Sequence, residues 1–355
     1  MPHQVVRRVV FGPAVILGFV VVLLSAPIWA IVAAALVPTV PGKWRPVRLA
    51  WFTFVYLAME AMGLALAFLL WIASGFGWKL RSPAFVNAHY AVLRLCLGLL
   101  LRTARRTFNP TITVDERGSI VDRPDVGRPP LIVLARHAGP GDSFLLVGTL
   151  LARGRRPRIV LKEVLQWDPL LDVMLNRLPS RFIPSTGPGR AGSIDAIREL
   201  AGSMELDDCM VIFPEGGNFT ENRRTRSIAK LEEMGLHDQA NLARSMRHVL
   251  APRTQGTLAA IEASPEAEVL FVAHTGLEDL SSPVDLYRGL PMDADVRARV
   301  WRVMPEDVPA GEDARETWLY DWFVRIDQWI IDNRSTDRIP DEILRRAASY
   351  DLSGD

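Results

Sequence analysis

The chain has 355 residues, room for one large domain or two ordinary ones. Its 41 Lys and Arg against 40 Asp and Glu leave a net charge of +1, which gives no reason to expect nucleic acid as a partner. Two cysteines, Cys96 and Cys209, exclude a disulfide framework and suit a reducing compartment.

Apolar residues make up 49% of the chain and concentrate at its N-terminus. Residues 11–40 carry no charge, and residues 49–77 carry one, Glu60. Both runs exceed the roughly 20 residues that a helix needs to cross a bilayer. The link between them, residues 41–48, is short enough to force an antiparallel pair. A cleaved signal peptide does not fit, because the first run is too long and a second follows at once. Pro13, Pro27 and Pro38 leave open a kinked hairpin that dips into one leaflet. Charges flank the hairpin almost evenly: Arg7 and Arg8 before it, Lys43, Arg45 and Arg48 in the link, Lys79 and Arg81 after it. Glu60 is expected to face the partner helix or to lie shallow. Residues 91–101 are apolar except for Arg94 and lead into Arg102, Arg105 and Arg106. That segment reads as a surface helix on the membrane or as a helix packing the hairpin onto the next domain.

From Pro129 on, short apolar runs alternate with helical patterns, the signature of an α/β sheet. Strands are expected at 131–134, 158–161, 210–213, 269–273 and 295–303, and helices at 142–153, 192–200 and 226–234. Residues 313–334 carry Trp318, Leu319, Trp322, Phe323, Ile326 and Ile330 at helical spacing, an amphipathic helix whose aromatics belong to the core. The chain therefore divides into a hydrophobic hairpin over 1–80, an α/β domain over 81–290 and a strand–helix extension over 291–355.

Two segments carry the chemistry. Ala135-Arg136-His137-Ala138-Gly139-Pro140-Gly141-Asp142 follows the first strand, and Phe213-Pro214-Glu215-Gly216-Gly217 follows the third. Such strand ends are where open α/β sheets bind ligands. A His with an Asp five positions on is a weak signal alone, and His274 with Asp279 repeats it after another strand. The Gly139-Pro140-Gly141 bend favours the first pair, since it can return Asp142 to the His137 ring. A carboxylate there fixes the tautomer and raises basicity at the other nitrogen, as direct acyl transfer to a hydroxyl requires. The competing reading makes Asp142 a helix cap and His137 incidental. Ser143 lacks a nucleophile elbow, so no acyl-enzyme is expected. Backbone N–H groups around Gly139 to Gly141 are candidates for the oxyanion. Glu215 can line the same cleft, with Gly216 and Gly217 permitting close approach of a ligand; the alternative is an exposed strand-end turn. Arg223, Arg224 and Arg226 form either a solvated face or an attraction for anionic headgroups. No cluster has metal-ligand spacing, so no metal is expected.

These segments resemble the His-x4-Asp glycerolipid acyltransferases, typified by 1-acylglycerol-3-phosphate O-acyltransferase. His137 and Asp142 match the family's catalytic pair, and Phe213-Pro214-Glu215-Gly216 matches its acceptor-binding block. Phe182-Ile183 is similar to the second block, and Lys162 to a basic residue common between the first two. Phe219-Thr220-Glu221, the stretch from His248 to Gly256 and the stretch from Val303 to Pro309 resemble the longer, eukaryotic-type branch. The resemblance implies a layered αβα domain with a mixed sheet, behind a two-helix membrane hairpin. It implies transfer of a fatty acyl chain from acyl-CoA or acyl carrier protein to lysophosphatidate or a related lysophospholipid, with no bound cofactor. The donor's location puts the catalytic domain on the cytoplasmic side of the inner membrane, with membrane lipids as partners; oligomeric state is left open. Glu215, Gly216, Gly217, Asn218, Lys162 and Arg181 are the expected acceptor-binding residues. The chain departs from the pattern at Asn218 and Ser185, where the family usually has Arg to hold the acceptor's phosphate. Either Lys162, Arg181, Arg190 or Arg223 replaces them, or the acceptor is no phosphate monoester, such as a lyso-aminolipid or glycolipid. A non-catalytic lipid-binding protein of the same fold is the third expectation.

Overall fold

The computed structural model describes residues 2–39, 44–115, 128–184, 192–278 and 295–334. Ser185, Arg190, Asp279 and residues 41–43 of the expected link lie outside them. The described strands are β1 (Thr111–Asp115), β2 (Leu131–Ala135), β3 (Arg156–Lys162), β4 (Arg181–Ile183), β5 (Asp208–Ile212), β6 (Glu268–Thr275) and β7 (Asp295–Val303). They form one mixed sheet in the order β1-β7-β6-β2-β5-β3-β4. Strands β2 to β6 run parallel, while β7 is antiparallel to β6 and carries β1 beside it in parallel. The C-terminal ends of β2, β3, β5 and β6 therefore open on one edge.

The central strands are buried on both faces, which is why they read as unbroken apolar runs. Alternation along them divides the core. Ile132, Leu134, Met210, Ile212, Val269 and Phe271 point to one face, against helices α7 (Ser193–Gly202), α8 (Glu221–Glu233), α9 (His237–Ser245), α10 (Thr254–Ala263) and α11 (Glu312–Asn333). Leu131, Val133, Cys209, Val211 and Leu270 point to the other, against α5 (Pro140–Ala152). Each such side chain contributes about 1.5–3 kcal/mol by leaving water. The aromatics of α11 do pack as core: the Trp322 ring stacks on Phe271 at 4.3 Å, and Phe323 is buried. Strands β1 and β4 were not legible as strands. Both are short edge strands with only one neighbour, so they carry no apolar run.

The N-terminal apolar runs are helical, with two differences from expectation. The first run breaks at Ser25 into α1 (Gln4–Leu24) and α2 (Ala26–Leu36), because Pro27 opens a new helix and cannot donate to the old one. The apolar segment at 91–101 is the middle of a third long helix, α4 (Pro83–Phe108), which pairs with α3 (Arg45–Ala73). Helices α1, α3 and α4 are each long and apolar enough to cross a membrane.

These helices are tied to the α/β part by polar contacts. Arg7 is buried and donates to Asp172 on α6 (Pro169–Leu175) at 2.9 Å. The Tyr56 hydroxyl donates to Asp168 at 3.0 Å, and Tyr90 to the Pro157 carbonyl at 3.1 Å. Glu60 is buried beside Asp168, so it faces the α/β part and not a partner helix in the hairpin. At Gly63 the packing leaves no room for a side chain: a β-carbon would lie 2.7 Å from Leu170 and 3.1 Å from the Cys96 sulfur.

Candidate active site

The site sits where β2, β5, β6 and β3 end. Pro140 stops the extended chain after β2 and starts α5, since its fixed φ suits the first helical turn. That turn brings Asp142 under the chain that precedes it. Its Oδ2 accepts from the N–H of Ala138 at 2.7 Å and of Gly139 at 3.0 Å. His137 Nδ1 lies 3.0 and 3.1 Å from the two carboxylate oxygens. From the third position of α5 one aspartate thus accepts from the N-cap residue Gly139 and also holds the imidazole.

Burial alone would push the Asp142 carboxyl up. Hydrogen bonds and charge from His137 and His274 outweigh it and hold the group well below the usual carboxylate range. Asp142 is therefore ionised and can only accept, which makes His137 Nδ1 the donor; in the neutral ring the lone pair is then on Nε2. The His137 side chain is 16% exposed and its ring lies 4.5 Å from that of Phe213. The bound N–H groups of Ala138 and Gly139 are no longer candidates for an oxyanion. Pro140 has none, and of the expected stretch only Gly141, in the open first turn of α5, keeps that role.

Glu215 does not line the cleft. It is 3% exposed, and its oxygens accept from the backbone N–H of His137 at 2.7 Å and of Leu250 at 2.8 Å. Burial pushes its carboxyl up to about 7 against those two bonds. The expectation that it touches the acceptor is replaced by a tie between the β2 and β5 loops and the 246–253 segment. Further bonds complete the tie: Phe219 N–H donates to the His137 carbonyl at 2.9 Å, and Arg253 N–H to that of Pro214 at 2.8 Å.

Gly216 has φ 68°, and a β-carbon there would sit 2.5 Å from the Arg253 guanidinium. One at Gly217 would lie 2.8 Å from Arg223 Nη1 and 3.5 Å from Lys162 Nζ. Three cations therefore converge on this turn. Burial and the charges of Arg223 and Arg253 hold the Lys162 ammonium below its ordinary value. Asn218 contributes its carbonyl, which accepts from Arg223 at 2.9 Å. Arg181 does not join the cluster: it stands opposite Val160, two positions back from Lys162, and pairs with Glu199 at 3.2 Å.

Sequence reasoning missed three residues. His274, weighed as a rival to His137, lies 3.4 Å from Asp142 Oδ2 and belongs to the same site, because β6 is next to β2. Arg136 is fully buried and donates to the carbonyls of His248 and His274 and to Glu278 at 2.6 Å. Burial would raise the Glu278 carboxyl, but the Arg136 charge holds it at about 2. Arg253 was visible only inside the stretch from His248 to Gly256. An arginine directly after an apolar central strand, as at 136, is the signal that could have marked the buried ion pair. Among the described residues no group of His, Cys, Asp and Glu could hold a metal ion.

No curated protein matches the chain by sequence. Among solved structures it is similar to the 1-acyl-sn-glycerophosphate (LPA) acyltransferase of Thermotoga maritima, at 15% identity and a TM-score of 0.42, over 78% of this chain and 100% of that one. Residues 114–264 match the family model described as Acyltransferase, a span that holds β2 to β5, His137, Asp142, Glu215 and the cation cluster. Residues 114–264 of this chain are an acyltransferase-family domain.

Proposed function

We propose that the protein moves a fatty acyl chain from a thioester, acyl-CoA or acyl carrier protein, to the free hydroxyl of lysophosphatidate or a related lysophospholipid. His137 Nε2 takes the hydroxyl proton as the oxygen attacks the thioester carbonyl. Asp142 supports the imidazolium, and Gly141 N–H faces the developing oxyanion. As the tetrahedral species collapses, the carbon–sulfur bond breaks and the imidazolium returns its proton to the departing thiolate. The products are an ester and a free thiol, with no acyl-enzyme between. The membrane helices hold the site at the cytoplasmic face, where thioester donors are made.

The observation that carries this reading is the tether of His137 Nδ1 to an ionised Asp142, with Nε2 left to act. The convergence of Lys162, Arg223 and Arg253 supports a phosphate-bearing acceptor over a lyso-aminolipid or glycolipid. Those three would take the place of the arginines absent at Asn218 and Ser185.

The test is thioester consumption by the full chain in proteoliposomes, with a panel of lyso-acceptors. Wild type should prefer the anionic ones. His137→Ala should lower turnover by about 10²–10⁴ with the fold intact. Near-normal turnover in that variant would refute the mechanism, and a preference for uncharged acceptors would refute the acceptor class.

A further inference from the structure

Among the described residues, apolar side chains are exposed in large numbers on the N-terminal helices and their turns, and at one place elsewhere. In the α/β part seven described large hydrophobics are exposed, and three of them lie in the single 3-10 turn Glu163–Trp167: Val164 at 54%, Leu165 at 42% and Trp167 at 50%. The others, Val114, Leu206, Met234 and Ile331, are scattered singly, as on any soluble surface. A cluster of three on one short turn has no such explanation.

The turn's position gives it one. It begins directly after Lys162, the first residue of the cation cluster. The Trp167 ring packs on Phe11 of α1 at 5.4 Å, so the patch is continuous with that helix's exposed apolar face. Polar pins hold it beside the two helices: Arg7 of α1 to Asp172, and Tyr56 of α3 to Asp168, the residue that ends the turn and caps α6. One face of α1 is exposed at Val5, Val6, Val9, Val10, Leu17 and Val21, while the other packs along α3, where Phe19 meets Phe54. The turn thus lies beside the first turns of the first apolar helix and extends its exposed face. A Trp with flanking aliphatics and a cation behind them is the composition of a membrane–water boundary.

We propose that Val164, Leu165 and Trp167 form an interfacial lip that enters the headgroup–acyl boundary of the leaflet beside α1. A single-chain anionic lipid would pass sideways over this lip, its tail staying in the leaflet while its headgroup meets Lys162, Arg223 and Arg253. The use of that lipid as acceptor rests on the acyl-transfer reading; the contact of the lip with lipid does not.

Two measurements on the full chain in phosphatidylcholine proteoliposomes separate these points. Leu165→Cys can be labelled selectively with a polarity-sensitive fluorophore, because Cys96 and Cys209 are buried. Its emission should be blue-shifted and quenched by lipids brominated on the acyl chains. The same label at Leu206→Cys, exposed just before β5 and so at the opposite edge of the sheet, should report water. Indistinguishable labels at the two sites would overturn the lip, whatever the protein's activity. The second measurement uses the triple variant Val164→Ser, Leu165→Ser, Trp167→Ser. With long-chain lysophosphatidate in the vesicles, kcat/KM should fall by about tenfold or more, through KM, while a short-chain lysophosphatidate dissolved as monomer loses less than about twofold. Equal loss on both acceptors, or loss on neither, overturns the proposal. Loss confined to a carrier-protein-bound donor would make the turn a protein-docking surface and overturn it as well. If wild type turns over neither acceptor, the acyl-transfer reading fails and the fluorophore alone decides the lip.

Discussion

The loops after β2 and β5 are built alike and behave in opposite ways. Each ends a fully buried central strand, each turns at a proline, and each holds a buried carboxylate. Asp142 meets imidazoles of His137 and His274, and is held low. Glu215 accepts from two backbone N–H groups, and burial pushes it up to about 7 against those bonds and the Arg136 charge. Backbone N–H groups and a cation that does not touch the carboxyl leave Glu215 raised, whereas imidazoles in direct contact hold Asp142 low. The first carboxylate can therefore steer a proton at its neighbour, while the second ties chain segments together. The contrast ranks what substitutions should do.

Asp142→Asn attacks the charged side of the comparison and should have the largest effect. One amide oxygen cannot serve His137 Nδ1 and the N–H groups of Ala138 and Gly139 together, and the amide nitrogen opposes one of them. Turnover should drop by about 10²–10⁴, with circular dichroism little changed. Single-turnover kinetics would locate the loss in the chemical step. A loss seen only in KM would break the contrast, because Asp142 would then be scaffold like Glu215.

The cation cluster beside Glu215 comes next. Arg223→Gln with Arg253→Gln should raise KM for phosphate-bearing acceptors by about 10–100-fold, with kcat little altered, since charged hydrogen bonds to the headgroup are lost. Arg181→Gln should stay within about twofold of wild type, because that guanidinium is held by Glu199 away from the Gly216–Gly217 turn. Steady-state kinetics on lysophosphatidate checks both. If Arg181→Gln proved the more damaging, the acceptor would bind along β4.

The same contrast explains what could be read before the fold was known. The strands β2, β3, β5 and β6 were legible within two residues at each end, because each has an apolar centre; polar ends such as Arg156, Lys162 and Glu268 are where the bounds were missed. His137 and Asp142 were legible because the Gly139-Pro140-Gly141 bend is local chemistry. His274 was not, since only the pairing of β6 with β2 brings it to Asp142. Glu215 was found at the right place with the wrong contact: Pro and Gly neighbours mark a turn, but which way a side chain points depends on the 246–253 segment, over thirty residues on. Arg253 was hidden for the same reason. The third apolar helix was half legible, as its first turns are too mixed in character to extend the 91–101 run.

Glu215→Gln tests the weaker side of the comparison and should give the smallest effect, one of stability. The folded carboxyl keeps its proton up to about 7, whereas an ordinary glutamate releases it near 4.5. Between those values the folded state binds more protons than the unfolded one, so this group's contribution to stability falls as pH rises through the window. The amide variant has no such slope. Near pH 5 a protonated carboxyl and an amide each keep one carbonyl oxygen to accept from His137 or Leu250 and differ only in the second arm, so the two proteins should differ by about 1 kcal/mol. By about pH 8 the wild type has lost its pH-dependent part and the variant has not, so any advantage in wild-type Tm should shrink or reverse. Thermal unfolding in detergent at the two pH values reads this directly. An advantage that grows with pH would mean the backbone N–H groups of His137 and Leu250 do hold an ion at Glu215. The two loops would then be alike in charge, and only the imidazoles around Asp142 would distinguish the reacting one from the tie.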